Sequence, residues 1–203
     1  MLAQNGIGYK VEGNKNQLQS NVAANNNSGF LVLGSGNKLS RNTTGDCLGG
    51  FGVSSGSNHL SGNVAARSSE SGFTIQGGNN VLSGNTAFAT VEDPLDTTIG
   101  DGFDIEGDGT VVQNNEALSN NEFGIGVASS HNKMTGNRAL GNGFIDLVDV
   151  SMTNCGTNVW KNNISGQHLR TCCALHQVRR TVDASASRER AHFDTRASIP
   201  CSS

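Results

Sequence analysis

A unit of about 22 residues repeats along most of this chain. In six places a Gly is followed thirteen residues later by an Asn. The pairs are Gly8 and Asn21, Gly29 and Asn42, Gly50 and Asn63, Gly72 and Asn85, Gly102 and Asn115, and Gly124 and Asn137. Successive units begin 21 or 22 residues apart, except that the fourth is about eight residues longer. Self-similarity at such a period indicates a solenoid, a propeller or another repeat array, so it constrains the fold more than any other feature.

Side chains at fixed positions within the unit are apolar or small. The residue after the Gly is Tyr9, Phe30, Phe51, Phe73, Phe103 or Ile125, and two places further on stands Val11, Val32, Val53, Ile75, Ile105 or Val127. Three before the Asn stands Leu18, Leu39, Leu60, Leu82, Val112 or Met134, and two after it Ala23, Thr44, Ala65, Ala87, Ala117 or Ala139. A spacing of two is the period of a strand with one buried face. We therefore expect Val53, Ile75 and Leu82 to be buried, and Thr74 and Gln76 to be exposed.

A single unit cannot fold alone. Burying one Val, Leu or Phe contributes roughly 1.5–3 kcal/mol, whereas ordering each residue costs about 1–2 kcal/mol. Stacked copies bury each apolar column against the copies above and below, which reverses the balance. A second column, five residues before the first Asn column, predicts amide side chains that hydrogen-bond along the stack. Its members are Asn16, Asn37, Asn58, Asn80, Thr110 and Asn132.

The repeat predicts an all-β solenoid of six to seven coils, with one unit of 21 or 22 residues per coil. A propeller blade needs about 40 residues, which is too long for this unit. The L-x-x-L-x-L pattern and helical half of a leucine-rich repeat are missing from the sequence. A left-handed helix of hexapeptides would repeat in sixes, which these spacings do not.

The pattern over about residues 6–166 resembles the right-handed parallel β-helix repeat proteins, a broad group that includes pectate lyases, alginate epimerases and many bacterial surface proteins. The segment NCGTNVWKNNISG, from Asn154 to Gly166, also resembles the closing segment of such bacterial proteins. The resemblance implies a single-stranded right-handed parallel β-helix and an extracellular, periplasmic or cell-surface location. It implies no single activity, because the group holds lyases, hydrolases, epimerases and adhesins.

Two regions differ in composition. Residues 1–166 carry the repeat, whereas residues 167–203 contain six Arg and three Cys but no Gly or Asn. We expect this tail to form a short helix around residues 169–182 and then a flexible end, or to be foreign to the repeat. No capping unit is visible before Gly8, so the first coil is expected either to pair with another chain through its edge or to fray.

The net charge, the apolar stretches and the Cys spacing limit the classes of partner and site that we expect. The net charge of −3 does not favour nucleic acid or an anionic membrane. No stretch approaches the ~18 apolar residues of a membrane span, and the sequence begins without the basic and apolar segments of a signal peptide. The five Cys have no C-x-x-C spacing, so they indicate neither a metal site nor a tidy disulfide framework.

One strongly acidic segment coincides with the long unit. It holds seven of the seventeen acids: Glu92, Asp93, Asp96, Asp101, Asp104, Glu106 and Asp108. No Lys or Arg occurs from Ser68 to Asn132. Asp104 and Glu106 alternate with core positions, so they should point outward. Clustered carboxylates suit Ca²⁺, which makes Asp93, Asp96, Asp101 and Asp104 candidate calcium ligands and Asp104, Glu106 and Asp108 candidate binding residues; a solvated acidic loop is the alternative.

Two catalytic motifs of β-helix families are partly present in this segment. DPLD, from Asp93 to Asp96, resembles the D-P-H-D of alginate epimerases and related lyases, but Leu95 replaces the His. DGFDI, from Asp101 to Ile105, resembles the N-T-D-G-x-D-[IV] of polygalacturonases, in which paired carboxylates supply the acid and activate water. The resemblance makes Asp101 and Asp104 candidate catalytic residues. The D-D, G-H-G and R-I-K motifs are missing, and the core columns alone explain Gly-Phe-x-Ile.

The aromatic and His residues provide little evidence for a functional site. Phe30, Phe51, Phe73, Phe103 and Phe144 are expected in the core. Phe88 and Phe123 fall off the core columns and are candidates for a surface, and His59 and His131 occupy equivalent turn positions that should face solvent.

These observations leave three functional hypotheses. The favoured one is a non-catalytic β-helix segment that presents a face to carbohydrate or another surface partner, with no required cofactor other than a possible Ca²⁺. The second is a polysaccharide lyase, hydrolase or epimerase that uses the acids around residues 93–108. The third is a structural spacer without a ligand. Basic residues near the acidic segment would favour the second hypothesis, because a lyase acting on uronates needs Lys or Arg to hold the substrate carboxylates.

Overall fold

A computed structural model describes residues 5–91, 100–151 and 157–170. Every regular element in this part of the chain is a β-strand, and no helix occurs in it. The first eleven strands are β1 (Asn5–Val11), β2 (Gln17–Gln19), β3 (Val22–Ala24), β4 (Asn26–Val32), β5 (Lys38–Ser40), β6 (Thr43–Gly45), β7 (Gly49–Val53), β8 (His59–Ser61), β9 (Val64–Ala66), β10 (Phe73–Ile75) and β11 (Val81–Ser83). The others are β12 (Thr86–Phe88), β13 (Phe103–Ile105), β14 (Val111–Gln113), β15 (Glu116–Leu118), β16 (Phe123–Val127), β17 (Lys133–Thr135), β18 (Arg138–Leu140), β19 (Ile145–Asp149), β20 (Val159–Lys161), β21 (Ile164–Ser165) and β22 (His168–Arg170).

The strands form three parallel sheets that run the length of a solenoid of about seven turns. Sheet 1 has the order β1-β4-β7-β10-β13-β16-β19-β22, sheet 2 the order β2-β5-β8-β11-β14-β17-β20, and sheet 3 the order β21-β18-β15-β12-β9-β6-β3. Register follows the repeat, because Phe51 is paired with Phe73 and Phe73 with Phe103. The predicted all-β solenoid with one unit per coil is therefore confirmed.

The interior consists of the predicted columns. Rings of Tyr9, Phe30, Phe51, Phe73 and Phe103 stack with centroids 4.6 to 4.9 Å apart and planes within 10°. Val53, Ile75 and Leu82 are buried as predicted, Gln76 is exposed and Thr74 is half-buried. The prediction that Phe144 belongs to this stack is wrong. It lies half-buried against Phe123, with ring centroids 5.7 Å apart and planes tilted by 48°.

Each coil turns at three corners, and ladders of polar side chains run through them. At the second corner, an Asn side chain accepts hydrogen bonds from the Asn of the coil before it. Asn63, for example, donates both its backbone N–H and its Nδ2 to Oδ1 of Asn85, each at 2.9 Å. The preceding residue, here Gly62 or Gly84, has a left-handed φ of 61° or 62°, which glycine adopts without steric cost. Both Asn ladders predicted from the sequence are present.

A third ladder escaped the sequence analysis. Its column lies five residues after the ladder of Asn63 and Asn85, at the corner between sheets 3 and 1, and consists of Asn26, Cys47, Ser68, Thr90, Asn120 and Asn142. Hydrogen bonds from coil to coil link its last three members, Thr90, Asn120 and Asn142. Asn120 donates its backbone N–H and its Nδ2 to Oδ1 of Asn142, at 3.0 and 2.9 Å. Three of the six members are not amides, so identity along the column did not reveal it.

The last coil differs from the others. Asp146 stands in the Gly column, and its carboxylate accepts from the backbone N–H groups of Asn142, Gly166 and Gln167 and from Nδ2 of Asn142. Asp149 stands in the Val/Ile column and accepts from Trp160 Nε1 at 3.2 Å. Buried acids with several donors take over positions that are apolar or glycine elsewhere, so this seventh coil does not carry the full Gly and apolar columns of the other six.

Sheet 1 continues beyond the predicted boundary at residue 166. In β22, His168 is paired with Leu147 and Leu169 with Val148. The predicted helix from about Leu169 is therefore wrong for Leu169 and Arg170, which lie in a strand. The rest of the predicted tail, residues 171–203, lies outside the described residues.

Candidate functional site

The acidic segment begins at the base of the long coil's insertion. The Thr90 hydroxyl donates to the backbone oxygen of Gly100, and the backbone N–H of Thr90 donates to Asn120 Oδ1 at 3.3 Å. The first bond joins the two ends of the insertion immediately before Asp101, and the second ties Thr90 to the next coil. Asp93 and Asp96, two of the four predicted calcium ligands, lie outside the described residues.

Asp101 is buried at the corner that leads into sheet 1. It is 6% exposed, and its Oδ1 accepts the backbone N–H of Phe123 at 2.9 Å. Burial raises its pKa to about 8, with smaller contributions from the negative charges of Glu122 and Asp104, while the Phe123 N–H acts in the opposite direction. Near neutral pH this carboxyl group therefore holds a proton.

Asp104 lies in the middle of β13 between Thr74 and Gly126 of the flanking strands. Its side chain is half-buried, and Glu106 is exposed, so the predicted outward direction of both is confirmed. Burial raises the pKa of Asp104 to about 7, and repulsion from Glu106 and their hydrogen bond add to the shift. Two neighbouring carboxyl groups that titrate near neutrality are chemically able to donate or accept a proton.

Asp108 is placed at a corner, where it has a structural partner. Its Oδ1 accepts the backbone N–H of Ser130 at 2.7 Å, as Asn14 accepts from Ser35 at 2.7 Å in the first two coils. Its role as a binding residue stays a prediction. Within residues 5–91, 100–151 and 157–170, no group of three or more His, Cys, Asp or Glu is arranged to hold a metal ion, so the calcium site also stays a prediction.

A groove of about 270 Å³ lies on the outer side of sheet 2, a surface that the sequence analysis did not single out. Four neighbouring strands, β2, β5, β8 and β11, form its floor. Its lining residues are Gln17, Gln19, Lys38, Ser40, His59, Leu60, Ser61, Val81 and Ser83. We name this surface the sheet 2 groove.

Two rows of side chains border the sheet 2 groove. One row places Lys38 beside His59, and His59 is exposed as predicted. The other row places Ser61 between Ser40 and Ser83. Leu39, Leu60 and Leu82 are buried beneath these strands, which fixes the spacing of the polar groups above them. The result is an array of hydroxyl, amide and cationic groups on a rigid sheet.

Charges are distributed unevenly among the three sheets. Lys10 pairs with Glu12 on sheet 1, and Arg67–Asp46 and Arg138–Glu116 pairs belong to sheet 3 and its corner, with N···O distances of 2.5, 2.6 and 3.5 Å. Within the described chain, the remaining Lys and Arg of residues 5–167 form no ion pair with a described residue, and all of them lie on sheet 2 or at its corners. They are Lys15, Lys38, Arg41, Lys133 and Lys161.

The outer surface of sheet 3, unlike that of sheet 2, carries a row of large apolar side chains. Phe88, Leu118 and Leu140 are neighbours on three adjacent strands and are half-buried on the outside of the sheet. Phe88 thus lies off the core, as its position in the repeat predicted. Each of the three sheets consequently presents a distinct chemistry to solvent.

Comparison with known proteins gives no match to a family model, to a curated protein or to a solved structure. The parallel β-solenoid architecture is established by the strand pairing, and membership of the pectate-lyase-like group stays a prediction. Among the described residues, no helix has the length and apolar character needed to cross a membrane.

Proposed function

We propose that this chain is a non-catalytic β-solenoid that binds carbohydrate, with the sheet 2 groove as its contact surface. The observation that carries the proposal is the pair of polar rows that borders the groove, with Ser40, Ser61 and Ser83 on one side and Lys38 and His59 on the other. Hydroxyl, amide and cationic groups in a shallow concave surface are suited to a hydroxyl-rich ligand.

Regular strand spacing supports a polymeric ligand. Parallel strands lie about 4.8 Å apart, so equivalent side chains such as Ser61 and Ser83 repeat along the solenoid at that interval. Because the side chains stand on a packed core and a paired backbone, little backbone conformational entropy is lost when a ligand binds. An extended chain lying across the strands meets several such groups in succession, and each adds a weak contact.

A second candidate function is favoured by one specific observation, the raised pKa values of Asp101 and Asp104, about 8 and about 7. A polysaccharide lyase, hydrolase or epimerase needs a group that exchanges protons near neutral pH. Against this, Oδ1 of Asp101 already accepts the Phe123 N–H, and the strand neighbours of Asp104 are Thr74 and Gly126, neither of which supplies a positive charge to neutralise a substrate carboxylate. Binding without catalysis is therefore the better-supported function.

Affinity gel electrophoresis tests the proposal. The purified protein is run through gels that contain a panel of neutral and charged soluble polysaccharides, and its retardation is measured. Ser61→Phe fills the groove, whereas Thr86→Phe places the same ring on an outward position of sheet 3. We expect at least one polysaccharide to retard the wild type and the Thr86 variant, but not the Ser61 variant. Free migration in every gel, or equal retardation of both variants, would contradict the proposal.

Incubation with the same polysaccharides separates the two candidate functions. We expect no new reducing ends and no unsaturated products. Product formation that Asp104→Asn abolishes would instead support the enzyme.

A further inference from the structure

We infer that the outer face of sheet 2, with the sheet 2 groove at one end, binds a sulfated polysaccharide, an inference that rests on the proposed function and specifies its ligand. Of the seven described strands of sheet 2, none contains an Asp or a Glu, whereas three of them contain Lys: Lys38 in β5, Lys133 in β17 and Lys161 in β20. Lys15 and Arg41 lie at the corners on either side.

Within residues 5–167, the described cations outside sheet 2 and its corners form ion pairs. Lys10 lies 2.5 Å from Glu12, and Arg67 lies 2.6 Å from Asp46 with a second hydrogen bond from its Nε at 2.7 Å. The cations of sheet 2 have no described acidic partner, even though the chain as a whole carries a net charge of −3. A surface of uncompensated positive charge on an acidic protein raises the local concentration of an anionic ligand there.

The positions of the cations suit a long ligand. Lys38 lies in the second coil and Lys133 in the sixth, so the strand spacing separates them by roughly 19 Å along the sheet. Lys161 follows in the next coil, two residues beyond the Val159 that is paired with Lys133. A polyanion that lies across the strands can contact both ends of the surface at once, and simultaneous contacts raise its apparent affinity.

Hydrogen-bonding character favours sulfate among anionic groups. Lys38 can only donate, and the adjacent Ser40 and Ser61 hydroxyls are free to donate towards the groove. A sulfate ester offers one more terminal oxygen than a carboxylate, so it can accept from the ammonium group and from neighbouring hydroxyls together. The sugar hydroxyls between sulfates can then bond to Gln17 and Gln19, which offer both a donor and an acceptor.

Nucleic acid is a weaker fit to the same charges. The outward positions of β2, β5, β8, β11, β14 and β17 carry no Phe, Tyr or Trp on which a base could stack. The spread of single Lys residues over several coils also provides fewer cations than a duplex needs for tight binding at physiological salt.

The test compares polymers that share a backbone. Isothermal titration calorimetry is performed with dextran, dextran sulfate, polygalacturonate and a DNA duplex, at about 10 mM and about 150 mM salt, where screening differs strongly. We expect dextran sulfate to bind most tightly, with an affinity that falls as salt rises. Lys38→Gln and Lys133→Gln should each weaken binding by about 1.4-fold to fivefold, the range for one exposed charge contact. Lys10→Gln removes the same charge from sheet 1 and should leave binding unchanged.

Each other outcome has a defined meaning. Dextran sulfate that binds no better than dextran, or an equal loss in the Lys10 and Lys38 variants, overturns the inference. Tighter binding of polygalacturonate or DNA overturns it as well. If a neutral polysaccharide binds at least as tightly as dextran sulfate, and Ser61→Phe abolishes that binding, the proposed function stands while the sulfate inference fails. If no polysaccharide binds, both fail.

Discussion

Oδ1 of Asp101 accepts the backbone N–H of Phe123 at 2.9 Å, across the step from the fifth coil to the sixth. This single bond does not compensate for the burial of the carboxyl group, whose pKa rises to about 8. No Lys or Arg lies on the strands that pack against it, β10 and β16, while Glu122 and Asp104 add negative charge nearby. The fifth coil thus contains a buried acid that is more stable when protonated.

The first prediction follows from the sign of this shift. Asp101 has a folded pKa of about 8 against an ordinary 3.8, so its contribution to stability is complete below about pH 4 and is lost as the pH rises through about 8. Asp104, with a pKa of about 7, acts in the same direction. We therefore expect the melting temperature to fall between pH 5 and pH 8.5, the interval from about one unit above the ordinary value to just above the shifted one.

Two substitutions test which carboxyl group causes this fall of the melting temperature with pH. Asp101→Asn keeps the oxygen that accepts from Phe123 but cannot ionise, so it should flatten the decline. Asp46→Asn is the control, because Asp46 is exposed and the hydrogen bond from Arg67 lowers its pKa. A decline of the same steepness in the Asp101 variant and the wild type would refute the assignment.

The second prediction concerns the core columns. Leu82 is fully buried between Leu60 and Val112 of the adjacent strands. Leu82→Ala should lower the free energy of unfolding by about 2–5 kcal/mol, because it leaves a cavity in a packed column. Ser83→Ala, one residue later on the outer side, should change it by less than about 0.5 kcal/mol. Urea denaturation followed by circular dichroism measures both, and similar losses would show that the inward and outward positions are misassigned.

The third prediction concerns the corner ladders. Asn85 Oδ1 accepts two hydrogen bonds from Asn63, and its Nδ2 donates to the Leu60 backbone oxygen at 3.0 Å. Asn85→Ala leaves buried donors unsatisfied, so it should lower the free energy of unfolding by about 1–3 kcal/mol per orphaned group. Asn27 is exposed on β4, and Asn27→Ala should have little effect. Equal stability of the two variants would mean that the ladder contributes nothing beyond the backbone pairing.

The fourth prediction concerns calcium. An extracellular type of site would bind Ca²⁺ with a Kd on the order of 10⁻⁴–10⁻³ M. Because Asp101 and Asp104 have pKa values of about 8 and about 7, protons compete with the ion, and affinity should rise between pH 6 and pH 8.5. Calorimetric titration at both pH values measures this change. Absence of binding at the higher pH, or binding that survives the double substitution of Asp101 and Asp104 by Asn, would exclude these residues as ligands.

The coils and their core could be predicted from the sequence because the repeat carries a local strand period. Phe51, Phe73 and Phe103 occupy equivalent places in successive units, and a spacing of two between Phe73 and Ile75 identifies the buried face. Such signals arise within one unit and are repeated by the next, so the coils, the core columns and two Asn ladders could be predicted. The outward direction of Asp104 and Glu106 followed from the same alternation.

The third ladder and the last coil could not be read in this way. Cys47, Ser68 and Thr90 share a corner position with Asn120 but not its side chain, so only the stacking of the coils identifies them as equivalent. Asp146 and Asp149 occupy positions that hold Gly and Val or Ile in the other coils, so they do not match the repeat. Whether a buried carboxylate is tolerated depends on donors such as Gly166 N and Trp160 Nε1, which come from distant parts of the chain.

The sequence by itself determined the architecture, because each unit carries its own strand period and its own partners for the next unit. Only the tertiary structure decided which charges share a surface. Lys38 and Lys133 are 95 residues apart in the chain yet lie on one sheet. Asp108 is close in sequence to the other acids of its segment, but it lies at a corner, where its Oδ1 accepts the backbone N–H of Ser130. The reason is physical: a coil of about 22 residues distributes sequence neighbours around three sheets and aligns residues of distant coils, so surface chemistry depends on the stacking and not on sequence proximity.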